Sequence, residues 1–163
     1  MKCKKFFAAA AACLMVAGFA ACGNEPTPAN PDEKVFQIGI CQLVEHPALD
    51  EATRGFQEFL TEKLGDRVQF SVQNAQGEQT NCTTIVNQFV AAKVDLIMAN
   101  ATGALTAAAA ATSDIPILGT SITAYGVALD IDDFDGTVGG NISGTSDLAD
   151  LEALSLIHIS EPT

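Results

Sequence analysis

Positive charge is scarce in this 163-residue chain, with 8 Lys and Arg against 20 Asp and Glu and a formal net charge of −12. Three of the eight, Lys2, Lys4 and Lys5, stand at the extreme amino terminus, ahead of every acidic residue. A surface this acidic repels a phosphate backbone, which excludes nucleic acid as a partner. Histidine is nearly absent, with His46 and His158 only, and there is no CxxC pair or other metal-ligand spacing. The sequence therefore implies no metal and no cofactor. The Gly-rich stretch Gly136–Gly144 lacks both a phosphate-binding lysine and the G-x-G-x-x-G frame, so it reads as a loop or hinge. The carboxylates Asp130, Asp132, Asp133 and Asp135 do not meet the calcium-loop frame, because Phe134 and Asn141 fall where ligands are required. They read as an acidic surface turn.

What is present begins with a leader. Residues 1–21 carry a Lys-rich start, an apolar run from Phe6 to Ala21 and small residues just before Cys22, the three parts of a secretory signal. The run is short and Ala-rich for a permanent membrane span. Phe19-Ala20-Ala21-Cys22-Gly23 resembles a bacterial lipobox, in which the cysteine is acylated and becomes the new amino terminus. Phe19 departs from the usual Leu. Residues 22–34 are then a Pro-rich polar stretch that cannot bury enough surface to fold and suits an extended tether. Cys3 and Cys13 belong to the leader with Cys22, leaving Cys41 and Cys82 for the folded part. Both read as buried thiols, and their pairing depends on geometry.

Folded sequence is expected over residues 35–153. Val35–Cys41 reads as a buried strand, followed by a loop carrying Glu45, His46 and Pro47. Leu49, Ala52, Phe56, Phe59, Leu60 and Leu64 then recur at helical spacing, with Pro47 suited to the first turn and Gly65 to the end. The same unit repeats. Strands are expected at Val68–Val72, Val94–Met98 and Ile115–Leu118, and helices carry Cys82, Ile85, Val86, Phe89 and Val90 and then Ala104–Ala111. This alternation predicts an α/β fold with a parallel sheet and helices on both faces, Rossmann-like or flavodoxin-like. Beyond Thr120 the expectations are a short strand at Val127–Leu129, an extended piece at Val138–Ser143 and a helix beginning at Asp147–Ala153. The chain ends before a second lobe. Residues 154–163 resemble the translated end of a sequencing-library adapter and are set aside, with His158.

In such sheets small molecules sit at the loops leaving the carboxyl ends of the strands. The candidate contacts are accordingly Gln42, Glu45, His46, Asn74, Gln76, Thr102, Ser121 and Thr123. Glu45 could receive a ligand amino group, and His46 could hydrogen-bond or stack, or simply tie its own loop to the backbone. Ser121 follows a strand, but Gly119-Thr-Ser-Ile-Thr123 lacks the second Gly of a nucleophile elbow, and His46 lies at the end of a different strand. No residue is assigned a catalytic role.

Three stretches are distinctive together: IGICQLVEHPALDEATRGFQEFL, QNAQGEQTNCTTIVNQFVAAKVDLIMANAT and DIPILGTSITAYGVAL. Over roughly Val35 to Leu151 the chain resembles the amino-terminal lobe of ABC-transporter substrate-binding proteins of the tryptophan/tyrosine-transport type. The resemblance implies a type I periplasmic-binding-protein lobe, truncated before its partner lobe. It also implies a small-molecule solute, an amino acid and often an aromatic one, held between two lobes and handed to an ABC permease. With Cys22 acylated, the protein would be a lipid-anchored membrane protein facing the periplasm or the cell exterior, and no enzyme. The resemblance places the binding loops at Gln42–His46, Asn74–Gln76, Ala101–Gly103 and Thr120–Thr123. At Thr123-Ala124-Tyr125 the chain departs from the Thr-Asp-Pro-like turn of many relatives. Two other functions suit the same fold: an extracytoplasmic ligand sensor for a membrane receptor, and a secreted α/β hydrolase using Ser121.

Overall fold

The computed structural model describes residues 34–148. The leader, Cys22, most of the tether, residues 149–153 of the expected last helix and the adapter-like end lie outside the described residues.

Strand β1 (Phe36–Gln42) suits an interior place because Ile38–Cys41 is apolar on both sides, and it pairs in parallel with β2 (Val68–Asn74) and with β3 (Leu96–Asn100). Strand β4 (Ile117–Ile122) pairs with β3, and β5 (Ile142–Ser146) pairs with β4, completing a parallel sheet in the order β2-β1-β3-β4-β5. Alternation along β1 sorts the core into two layers. Ile38 and Ile40 join Met98 under α1 (Pro47–Leu64), with Phe56, Leu60 and Phe70 packed around them. Cys41, Ile97, Ala99 and Ile117 face the other way, toward α2 (Gln79–Ala92) and α3 (Thr102–Ala111). Helices thus cover both faces, as the alternating pattern predicts.

Local signals explain the helix ends. Pro47 opens α1, where its missing N–H costs nothing, and Gly65 closes it at φ 56° with its N–H bonded to Thr61. Lys93 closes α2 in the left-handed region, at φ 53°. The alanines of α3 let it lie close to α2, and Ala104, Leu105, Ala107 and Ala108 are buried there.

The structure corrects several expected elements. Four strands run past their expected ends, through Gln42, Asn74, Asn100 and Thr120–Ile122, because ladder hydrogen bonds continue into polar residues that read as loop. Phe59 does not face the core: it is 58% exposed, and the Lys63 ammonium lies 5.6 Å from its ring centroid. Thr53 takes the buried place on α1 instead. Val127–Leu129 is no strand, since residues 125–128 form a helical turn, α4 (Tyr125–Ala128). The extended piece expected at Val138–Ser143 begins four residues later, as β5.

Candidate functional site

All five strands are parallel, so their carboxyl ends share one rim. Its order along the sheet is Asn74, Gln42, Asn100, Ile122 and Ser146. Backbone hydrogen bonds continue across the rim past the strands. Ala75 N donates to Gln42 O at 2.8 Å, Leu43 N to Asn100 O at 3.1 Å, Ala101 N to Thr120 O at 3.0 Å and Asp147 N to Ile122 O at 3.0 Å. Each loop is therefore stitched to the end of the next strand, and the rim is a preformed surface.

Gln42 and Asn100 form the floor of this rim. Gln42 is 5% exposed; its Nε2 donates to Val44 O at 3.0 Å and to Asp50 Oδ1 at 2.6 Å, and its Oε1 accepts from Thr53 Oγ1 at 2.7 Å. Asn100 is fully buried and donates through Nδ2 to Leu49 O at 2.8 Å and to Thr53 Oγ1 at 2.9 Å. Its Oδ1 meets no donor among the described residues. Both amide donors of Gln42 are spent inside the protein, so this residue shapes the first loop from beneath rather than offering its amide to the cleft.

Above that floor stand the exposed candidates. Glu45 is exposed beside His46, whose Nδ1 accepts from Ala48 N at 3.2 Å and caps α1. An accepting Nδ1 assigns the neutral ring's proton to Nε2, the nitrogen left for other partners. Asn74 Oδ1 accepts from Gln76 N at 2.8 Å, a turn that holds Gln76 at φ 59°. Thr102 opens α3. Ser121 sits half-buried at φ 56° within a register shift between Gly119 and Ile122, and exposed Thr123 accepts from Ser146 Oγ through its carbonyl at 3.2 Å. Glu45, Gln76, Thr102 and Ser121 thus lie along one shared rim. Ser121 and His46 belong to the ends of β4 and β1, with β3 between them, and among the described residues the one side-chain hydrogen bond of His46 is to the backbone of its own helix.

The rim's electrostatics come from its helix ends. α1 has its histidine cap, whereas α2 and α3 have no side-chain cap. At α3 the capping position is Ala101, held at φ 87° and ψ 158°, a region open essentially to Gly alone. The first-turn N–H groups of α3 are left without a side-chain acceptor, and such an end favours a carboxylate. Gln79 at the start of α2 donates to Gly103 O at 2.9 Å and so draws the two ends together. Beyond β4 the rim turns apolar: a hollow of about 310 Å³ lies among Tyr125, Val127, Ile131, Phe134 and Leu148. A smaller polar hollow of about 270 Å³ lies beside Gln42, Asp50 and Asn74.

Asn100 and Thr53 are positions that sequence reasoning missed, as is the strain at Ala101 within a loop it did place. Thr53 had a readable signal, since Leu49, Thr53, Phe56 and Leu60 follow helical spacing along the buried face. Asn100 had a weaker one, a polar residue closing the run Leu-Ile-Met-Ala. The strain at Ala101 has no sequence signature.

Comparison with known proteins agrees with this fold. The family described as ABC transporter substrate binding protein matches residues 37–162. A tyrosine-binding protein of Clostridioides difficile (strain R20291) is 40% identical over 134 residues, which cover 80% of this chain and 39% of that protein. The ligand-free, open structure of CD0873, a substrate-binding protein with adhesive properties from Clostridium difficile, is 40% identical with a TM-score of 0.69, covering 77% of this chain and 43% of the other. The ABC domain from Streptococcus pneumonia in complex with L-Trp is 35% identical with a TM-score of 0.64, covering 71% and 39%. The chain spans about two-fifths of the length of these relatives.

Proposed function

The chain belongs to the ABC transporter substrate-binding protein family, and on that premise we propose that it forms one jaw of an extracytoplasmic binding protein for an amino acid with an aromatic side chain. The carrying observation is the division of the rim. A carboxylate suits the uncapped start of α3 beside Thr102 and Ser121, and an ammonium group suits Glu45. The apolar hollow beyond Thr123 suits a ring. One preformed rim holds all three, and the named specificities of two relatives, tyrosine and L-Trp, support the same class.

A second lobe completes the cleft in this reading, and hinge closure traps the solute for delivery to an ABC permease. Gln76 and His46 contribute through the groups their own loops leave unused. Acylation at Cys22, after removal of residues 1–21, anchors the protein by way of the 22–34 tether and holds captured solute near the permease.

Calorimetric titration of the full-length protein with L-tyrosine and L-tryptophan tests the binding reading. His46→Ala and Gln76→Ala are each expected to weaken affinity; unchanged affinity in both variants removes these loops from the site. The anchor has a separate test. Cys22→Ala should abolish membrane association, and a Cys22→Ala protein that stays on the membrane after leader removal overturns the acylation.

A further inference from the structure

Two cysteines face one another in the larger core layer. Cys41 lies on the side of β1 that α2 covers, Cys82 lies on the buried stripe of α2, and neither has exposed surface. A close approach sets this placement. A Cβ added at Gly39 would come within 2.6 Å of the Phe89 ring, so α2 rests almost directly on β1 at that point. The helix runs back toward its start at the rim as β1 runs toward its end there. Two residues along a strand rise about 7 Å and seven along a helix about 10 Å, so stepping from the Gly39–Phe89 contact toward the rim reaches Cys41 and Cys82 together. The thiols sense each other: burial first, and then the Cys82 sulfur, push the Cys41 thiol up to about 12. Both are free thiols in this structure.

We propose that Cys41 and Cys82 join in a disulfide as the chain folds outside the cytoplasm, stapling β1 to α2 directly beneath the binding rim. The proposal rests on the extracytoplasmic placement of the family, since disulfides persist in oxidising compartments. The oxidant is a disulfide donor, either a thiol–disulfide oxidoreductase or a small-molecule disulfide. One cysteine thiolate attacks the donor, forming a mixed disulfide and releasing one donor thiol. The other cysteine, deprotonated, then attacks the protein sulfur of that bond and expels the second donor thiol. Two protein thiols are oxidised and one donor disulfide is reduced to two thiols. Burial shields both groups once α2 has docked, so the exchange belongs to folding, and the folded reduced protein resists it. The staple sits one residue before Gln42 and four after Glu78, and it ties together the two loops that carry His46 and Gln76.

The test refolds the reduced, denatured chain in mixed reduced and oxidised glutathione, alkylates the remaining thiols and maps the peptides by mass spectrometry. The expected product, from protein lacking residues 1–21, is a linked peptide pair holding Cys41 and Cys82, two hydrogens lighter than its parts, with Cys22 alkylated. Alkylation of both Cys41 and Cys82 in a chain whose circular dichroism shows it folded overturns the proposal. So does linkage of either to Cys22. In a second measurement, reducing the bond should lower Tm by roughly 5–10 °C, and the Cys41→Ser/Cys82→Ser protein should show no response to reductant. Equal Tm in both redox states again overturns it. Because these readings need no ligand, their failure leaves the amino-acid site standing, and a failed calorimetric titration leaves the disulfide standing.

Discussion

Asn100 Nδ2 donates to the Thr53 hydroxyl at 2.9 Å across the interface between β3 and α1, and that hydroxyl in turn donates a hydrogen bond to Gln42 Oε1 at 2.7 Å. This chain of amide, hydroxyl and amide crosses from one strand end to the next through a helix. It fixes α1, and with it Glu45 and His46, to the two central strands of the rim. Breaking such a chain leaves buried polar groups without partners, and each one left so is costly.

Thr53→Val keeps the shape of the side chain and removes the hydroxyl. Gln42 Oε1 then loses its donor and Asn100 Nδ2 keeps only Leu49 O. We expect a loss of about 1–3 kcal/mol, read from urea unfolding at unchanged m-value. A Thr53→Val protein as stable as its parent would show that the chain contributes nothing net.

His46 caps α1 through Nδ1, so its removal acts on folding as well as on ligand. His46→Ala should cost about 1 kcal/mol, and His46→Asn should recover most of it, because Asn is a good capping residue. Ligand affinity should fall in both variants if the ring meets the solute directly. Affinity restored by Asn would assign His46 to capping alone.

Ala101 pays for its place at the head of α3 with a backbone conformation that suits Gly. Relief of strain worth about 1–3 kcal/mol outweighs the added flexibility of Gly, about 0.5–1 kcal/mol. Ala101→Gly is therefore expected to raise the unfolding free energy by about 1 kcal/mol, measured by chemical denaturation. A loss of stability would mean that the Ala101 methyl makes packing contacts worth more than the strain.

At the opposite end of the sheet, the Lys34 ammonium 2.6 Å from Asp95, together with the Gln37 N–H, holds the Asp95 carboxyl below its usual range. A depressed folded value means the unfolded chain binds its proton first as pH falls. The contribution is fully present above the unfolded carboxylate range, near pH 4, and is lost as pH drops through the lower folded value. Asp95→Asn should flatten the acid limb of a Tm-against-pH curve and leave its shape above about pH 5 unchanged. An unaltered acid limb would refute this assignment.

Much of the fold was legible because burial writes itself into spacing. Apolar runs such as Phe36–Cys41 and the stripe Cys82, Ile85, Val86 and Phe89 can be satisfied only in a strand covered on both sides and a helix covered on one. Glycine and proline marked the ends of α1 for reasons local to the backbone. Phe59 was misread because periodicity locates a stripe to within one position, and here Thr53 has a partner across the interface while Phe59 does not.

By itself, then, the sequence determined the order of elements, their parallel arrangement and which end of the sheet carries the polar loops, since these follow from local preference and the need to bury apolar surface. Tertiary structure alone decided that Gln42 and Asn100 turn inward, that Ala101 and Ser121 adopt strained backbone, and that Cys41 meets Cys82. Those outcomes depend on which groups from distant parts of the chain arrive beside one another, and a hydrogen bond or a close contact has no periodicity to betray it.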